Sequence, residues 1–170
     1  MKNPLFPRSR LEKSLGFLLL IIGLLYFLPT CAGVFHAPDE GATLYHFERC
    51  AEGAVQHRDF YSVYGFGFYV FGKALFQLFG CNVMVVRIAV LFLKLLIVFL
   101  TYLLALHIIR PLFAFFVSVG LIIWWGDPLI ATPSFLYPLH FNHALSLLSL
   151  LLVIGYLKSS ARIYVVLSAL

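Results

Sequence analysis

The chain has 170 residues, 62% of them hydrophobic and 11% charged, with a formal net charge of +5 and a mean hydropathy of +0.99. A soluble domain carries about 25% charged and about 45–50% apolar residues, so a core surrounded only by water cannot hide this much apolar surface. The positive charge does not indicate nucleic acid, because the basic residues are scattered among apolar segments and form no stripe. Cys31, Cys50 and Cys81 lie far apart with no CxxC pair, which argues against a zinc site or a disulfide framework. A single Cys31–Cys50 disulfide stays open.

Lys2, Arg8, Arg10 and Lys13 stand against one acid, Glu12, and precede the unbroken apolar stretch 15–28. Together with residues 30–35 the stretch reaches the roughly 20 residues of a spanning helix, so the first span is expected over about 15–35. The basic flank puts the N-terminus in the cytoplasm by the positive-inside rule. The competing reading is a cleaved signal peptide with Thr30-Cys31-Ala32 as its small-residue site. The apolar character of the rest of the chain favours an uncleaved first helix.

Residues 36–64 differ sharply in composition. They hold five of the seven acids, Asp39, Glu40, Glu48, Glu52 and Asp59, together with Arg49, Arg58, His36, His46 and His57. The topology places this segment outside. Residues 42–54 are predicted as a helix with Leu44, Phe47 and Ala51 on one side, Asp39 as its cap and Gly53 as its stop. Residues 59–65 read as an irregular aromatic stretch. Residues 66–79 are apolar again, interrupted by Lys73 and Gln77 and stopped by Gly80. They are short for a span, so they are predicted to lie along the membrane surface.

The second span is expected over about 88–106, with Arg87 at its outer mouth and Arg110 just past its inner end. Pro111 opens a third, 111–126, which ends in Trp124-Trp125 at an interface. A second outer loop carries Pro128, Pro133 and Pro138; a fourth span follows over 143–157, then Lys158 and Arg162. Residues 163–170 begin a fifth with no cap, charge or stop, so the chain reads as the N-terminal part of a longer protein. The expected fold is all-α: one polytopic transmembrane helical bundle whose first outer loop contains amphipathic surface helices. There is no internal repeat.

Several residues in this frame carry chemical potential. Asp39 and Glu40 are adjacent carboxylates just after a span, where a carboxylate serves as a base, a divalent-metal ligand or an orienting group. The plainer reading makes Asp39 a helix cap and Glu40 a complement to the helix dipole. Lys94 lies inside the second span, where a charge is costly and functional by default, unless its stem snorkels to the interface. Arg87 suits a lipid phosphate, since a guanidinium fork matches phosphate oxygens, or serves as an interfacial anchor. His140 and His143 sit at the outer end of the fourth span, facing the cavity of Asp39 or simply the interface. His36, His46 and His57 match no metal spacing and read as solvated loop residues.

Residues 38–53, from Pro38-Asp39-Glu40, and 57–69, with His57-Arg58-Asp59-Phe60-Tyr61, together resemble the first periplasmic or lumenal loop of the C-type (GT-C) membrane glycosyltransferases. That group includes the protein mannosyltransferases and the aminoarabinose transferases acting on lipid A. The stretches 75–80 and 86–89 resemble the family's continuation into its second span. The resemblance covers roughly residues 12–110. It implies an inverting transfer of a sugar from a polyprenyl-phosphate donor in the membrane to an acceptor hydroxyl on a glycan, lipid or protein. The reaction would occur on the outer face of a cell inner membrane or in the endoplasmic reticulum, with no nucleic-acid partner. It implies Asp39 as the catalytic acid with Glu40 beside it, and Arg87 and Lys94 as candidates for the donor phosphate. Some relatives carry a Glu-Lys-Pro-Pro element before the surface helix. Here residues 63–67 lack Glu, Lys and Pro, so any metal or phosphate contact from that element is absent. A divalent cation as cofactor stays open. The rival from another class is a non-catalytic transporter or assembly subunit whose acidic loop docks a partner.

Overall fold

A computed structural model describes residues 9–32, 39–62, 64–124 and 138–159. Six helices follow in order: α1 Arg10–Phe27, extended by a 3-10 turn Leu28–Ala32, α2 Asp39–Ala51, α3 Phe66–Phe79, α4 Val83–Ala105, α5 Pro111–Trp124 and α6 Pro138–Ser159. No strand occurs among the described residues, and the fold is an all-α helical bundle. Arg10–Ala32, Val83–Ala105 and Pro138–Lys158 are each long and apolar enough to cross a membrane.

Local chemistry sets the ends. Ser9 and Glu12 form a reciprocal capping box at the start of α1, each side chain meeting the other's backbone N–H. Asn82 caps α4 by accepting from the Met84 N–H at 2.8 Å. Gly53 and Gly80, at φ 104° and 86°, turn the chain out of α2 and α3 through a region that L side chains avoid.

α1 and α4 are antiparallel. At one end the Cys31 carbonyl meets Arg87, and at the other the Tyr102 hydroxyl donates to the Glu12 carbonyl at 2.8 Å. Gly16 and Gly23 keep this approach close. A Cβ on Gly16 would lie 3.2 Å from the Tyr102 ring, and one on Gly23 would lie 2.8 Å from Leu95. α5 completes the cluster with Ala114, Phe115 and Ile122 packed among Leu19, Phe27, Val98 and Tyr102. α6 runs alongside α4 in the same direction, with Phe141 against Phe71 of α3 at one end and Leu151 among Leu100, Leu103 and Leu104 further on. Phe17, Leu25, Phe92, Phe113 and Phe116 point outward, an apolar shell of the kind lipid solvates.

α2 and α3 form a cap over the Arg87 end of α4. Phe47, fully buried, meets Phe68, Tyr69 and Phe76 edge-on or tilted. Gly72 makes room for it, since a Cβ there would fall 2.2 Å from the Phe47 ring. Leu44 and Ala51 join this cluster, as the sequence predicts, with Val86 and Val90 of α4 beneath.

The boundaries differ from expectation at several places. α4 begins at Val83 rather than 88, which puts Arg87 inside the helix, and α6 begins at Pro138 rather than 143. α2 runs from Asp39 itself, so Asp39 is its first residue rather than its cap. α5 is described over 14 residues, about 21 Å, short of a roughly 30 Å hydrocarbon core. His36, Trp125 and the expected fifth span lie outside the described residues.

Candidate functional site

Glu40 and Arg87 meet where α2 approaches α1 and α4; Asp39 precedes Glu40 as the first residue of α2, and Lys94 lies further along α4 against α1. On α2 the buried positions are Glu40, Thr43, Phe47 and Cys50, a repeat of three and four residues that makes one stripe. Glu40 opens that stripe and faces the bundle. Its carboxylate takes the Arg87 fork at both oxygens, Nε to Oε1 at 2.7 Å and Nη2 to Oε2 at 2.9 Å. The two side chains are 2% and 7% exposed. Arg87 also donates through Nη1 to the Cys31 carbonyl at 2.9 Å, and the Cys31 thiol lies 3.8 Å from the Arg87 carbonyl. One guanidinium therefore ties together α1, α2 and α4.

This arrangement bears on two of the site residues. Glu40 and Arg87 are matched to each other, and a guanidinium held by a carboxylate is a weaker ligand for a donor phosphate. Lys94 follows Arg87 by seven residues, about 10 Å along α4 on the same face. It is 3% exposed, and its ammonium stands over the Phe27 ring at 5.3 Å. The amine points into the bundle against α1, not outward to an interface, and among the described residues no carboxylate pairs with it. Its partners are an aromatic face and the nearby Cys31.

His140 and His143 stand on the first turns of α6. His140 is buried and His143 exposed, and the next-door Phe141 packs on α3. Cys31 and Cys50 are free thiols in different core clusters, so they form no disulfide. Among the described residues no three His, Cys, Asp or Glu side chains gather closely enough to hold a metal ion.

The opposite flank of α2 carries a feature that the sequence did not single out. The chain turns through 55–60, where His57 takes the left-handed conformation and Asp59 accepts from the Val55 N–H at 2.7 Å. The Arg58 fork beside it and that N–H hold the Asp59 carboxyl down at about 2. The turn delivers Phe60 onto the His46 ring, stacked at 4.7 Å, with Tyr69 edge-on at 5.9 Å. Burial, with Arg49 nearby, pushes the His46 imidazole below its ordinary value and so favours its neutral form. Ala42, Thr43, His46, Tyr61, Ser62, Tyr64 and Tyr69 line a cavity of about 250 Å³ at this flank.

Comparison of the chain with protein-family models, curated proteins and solved structures finds no significant match in any of the three.

Proposed function

We propose that the chain is the membrane-embedded N-terminal part of a C-type glycosyltransferase, which transfers a sugar from a polyprenyl-phosphate carrier to an acceptor hydroxyl on the non-cytoplasmic face. The observation that carries the reading is the buried Glu40–Arg87 fork. It ties α2 to the end of the apolar helix α4 through the residue next to Asp39, where α2 begins. In this reading a carboxylate on that first turn meets a donor whose reactive carbon sits at the membrane surface and whose lipid lies below.

In this reading the acceptor oxygen bonds to the anomeric carbon while the bond from that carbon to the phosphate oxygen breaks. The acceptor proton passes to the Asp39 carboxylate, and the polyprenyl phosphate leaves with the bonding electrons, inverting the carbon. Glu40 positions the helix. Neither cation faces the lipid phosphate directly: Arg87 is held by Glu40, and Lys94 is enclosed against the Phe27 ring of α1. The chain crosses the membrane several times, with the N-terminus in the cytoplasm and α2 and α3 on the far side.

The test is transfer from a radiolabelled polyprenyl-phosphate sugar in membranes carrying the protein. Asp39→Asn is expected to lower the rate by roughly 10²–10⁴-fold, the usual contribution of a general base, at unchanged expression and insertion. Equal rates for mutant and wild type would remove Asp39 from the chemistry. The same buried pair also favours a second reading, a non-catalytic membrane subunit, because it gives both Glu40 and Arg87 a purely architectural role. Failure of transfer with every donor tried selects that reading.

A further inference from the structure

We propose that the cavity between α2, residues 61, 62 and 64, and α3 binds a single sugar ring, a neutral polyhydroxyl ligand. The lining is three tyrosines, a histidine, a serine, a threonine and an alanine, with no carboxylate and no lysine or arginine. That composition rejects a charged ligand, because a buried ion needs a partner. It suits a ring with apolar C–H faces to lie against aromatic planes and hydroxyls to meet Thr43, His46 and the tyrosines. At about 250 Å³ the space is of a size to seat a single ring.

The polar groups are held in place before any ligand arrives. The His46 ring is clamped between Phe60 and Tyr69, and no hydrogen bond occupies its nitrogens among the described residues. A neutral imidazole offers one donor and one acceptor, a match for a hydroxyl that both gives and takes. Ser62 and Tyr69 are hydrogen-bonded to each other, and Ser62 accepts from the Tyr64 N–H at 3.1 Å, which fixes the far wall. Tyr61, 78% exposed, stands at the lip.

Position on α2 connects the cavity to the rest of the molecule. Ala42, Thr43 and His46 follow Asp39 by three, four and seven residues, so by helical register all four share one face. Asp39 lies about 5 Å along the axis beyond the cavity's Ala42 edge. Under the glycosyltransferase reading, on which this clause alone depends, the bound ring belongs to the acceptor and one of its hydroxyls points along α2 towards Asp39.

The experiment is saturation-transfer NMR on the full chain in detergent, with no donor present. The probes are methyl β-glucopyranoside, methyl α-mannopyranoside and methyl β-N-acetylglucosaminide, with glycerol as the control. At least one glycoside is expected to take up saturation through its ring C–H protons. Tyr61→Ala and His46→Leu should each weaken binding about fivefold or more, the worth of one hydrogen bond or ring contact. Tyr61→Ala keeps the test decisive, because so exposed a side chain can go without disturbing the packing, and Glu52→Gln in the exposed turn after α2 should change nothing. Absence of saturation with every glycoside, equal uptake by glycerol, or binding that survives both substitutions would overturn the inference. Glycoside binding without sugar transfer removes the enzyme and keeps the cavity; transfer without glycoside binding removes the cavity alone.

Discussion

Two arginine forks in this molecule have nearly the same geometry and different consequences. Arg58 grips Asp59 with Nε to one oxygen at 3.0 Å and Nη2 to the other at 2.8 Å, and Arg87 grips Glu40 with the same two nitrogens at 2.7 and 2.9 Å. The first pair joins adjacent residues in a turn, with side chains 69% and 28% exposed. The second joins residues 47 apart in sequence and is almost fully enclosed. Water and salt screen the first, so it shapes a turn. The second has lost its water, so each charge depends on the other and three elements depend on both.

Breaking the enclosed fork should have the largest effect. Arg87→Ala leaves Glu40 charged and buried, and is expected to cost roughly 3–5 kcal/mol, read by thermal unfolding in detergent. A loss no larger than that of a surface substitution would mean water already reaches the pair. Lys94→Met comes next and sharpens the comparison with a third case, a buried cation that no described carboxylate neutralises. It should favour membrane insertion of α4 by about 2.5–3.5 kcal/mol in a glycosylation-mapping assay. Replacing both members together, Glu40→Leu with Arg87→Leu, should recover most of the stability lost in Arg87→Ala, since the pair adds little over well-packed apolar side chains.

The exposed fork should give the smallest effects. Arg58→Ala is expected to lower the melting temperature far less than Arg87→Ala. The Asp59 carboxyl should titrate near 2 by NMR, below its ordinary 3.8. Because its folded value is depressed, the stability it lends is present above about pH 4 and fades as pH falls through 2. A midpoint at the ordinary value would show the fork open in solution.

Much of the cap was legible in the sequence because its signals are local. Gly53 and Gly80 mark helix ends, and Leu44, Phe47 and Ala51 recur at helical spacing onto one face. The first apolar stretch was likewise readable from composition. The fork between Glu40 and Arg87 was not, because no periodicity links positions 47 residues apart. The same gap explains the misplaced start of α4: a lone arginine reads as a membrane mouth, whereas a neutralised one sits comfortably inside the helix. His46 escaped notice for a related reason. Its meaning depends on Phe60 and Tyr69 folding back over it, and loop spacing alone makes a solvated histidine the default.

The long loop closed by the fork also imposes an order of events on the nascent chain. Ribosomes add about 5–20 residues per second, so Arg87 follows Glu40 by roughly 2–9 s. During that interval α2 and α3 are made, yet the partner that seats α2 does not exist. Phe47 has nothing to enter until α3 presents Gly72, and Glu40 stays hydrated until α4 arrives. The cap is thus complete only once α3 and α4 have both been made.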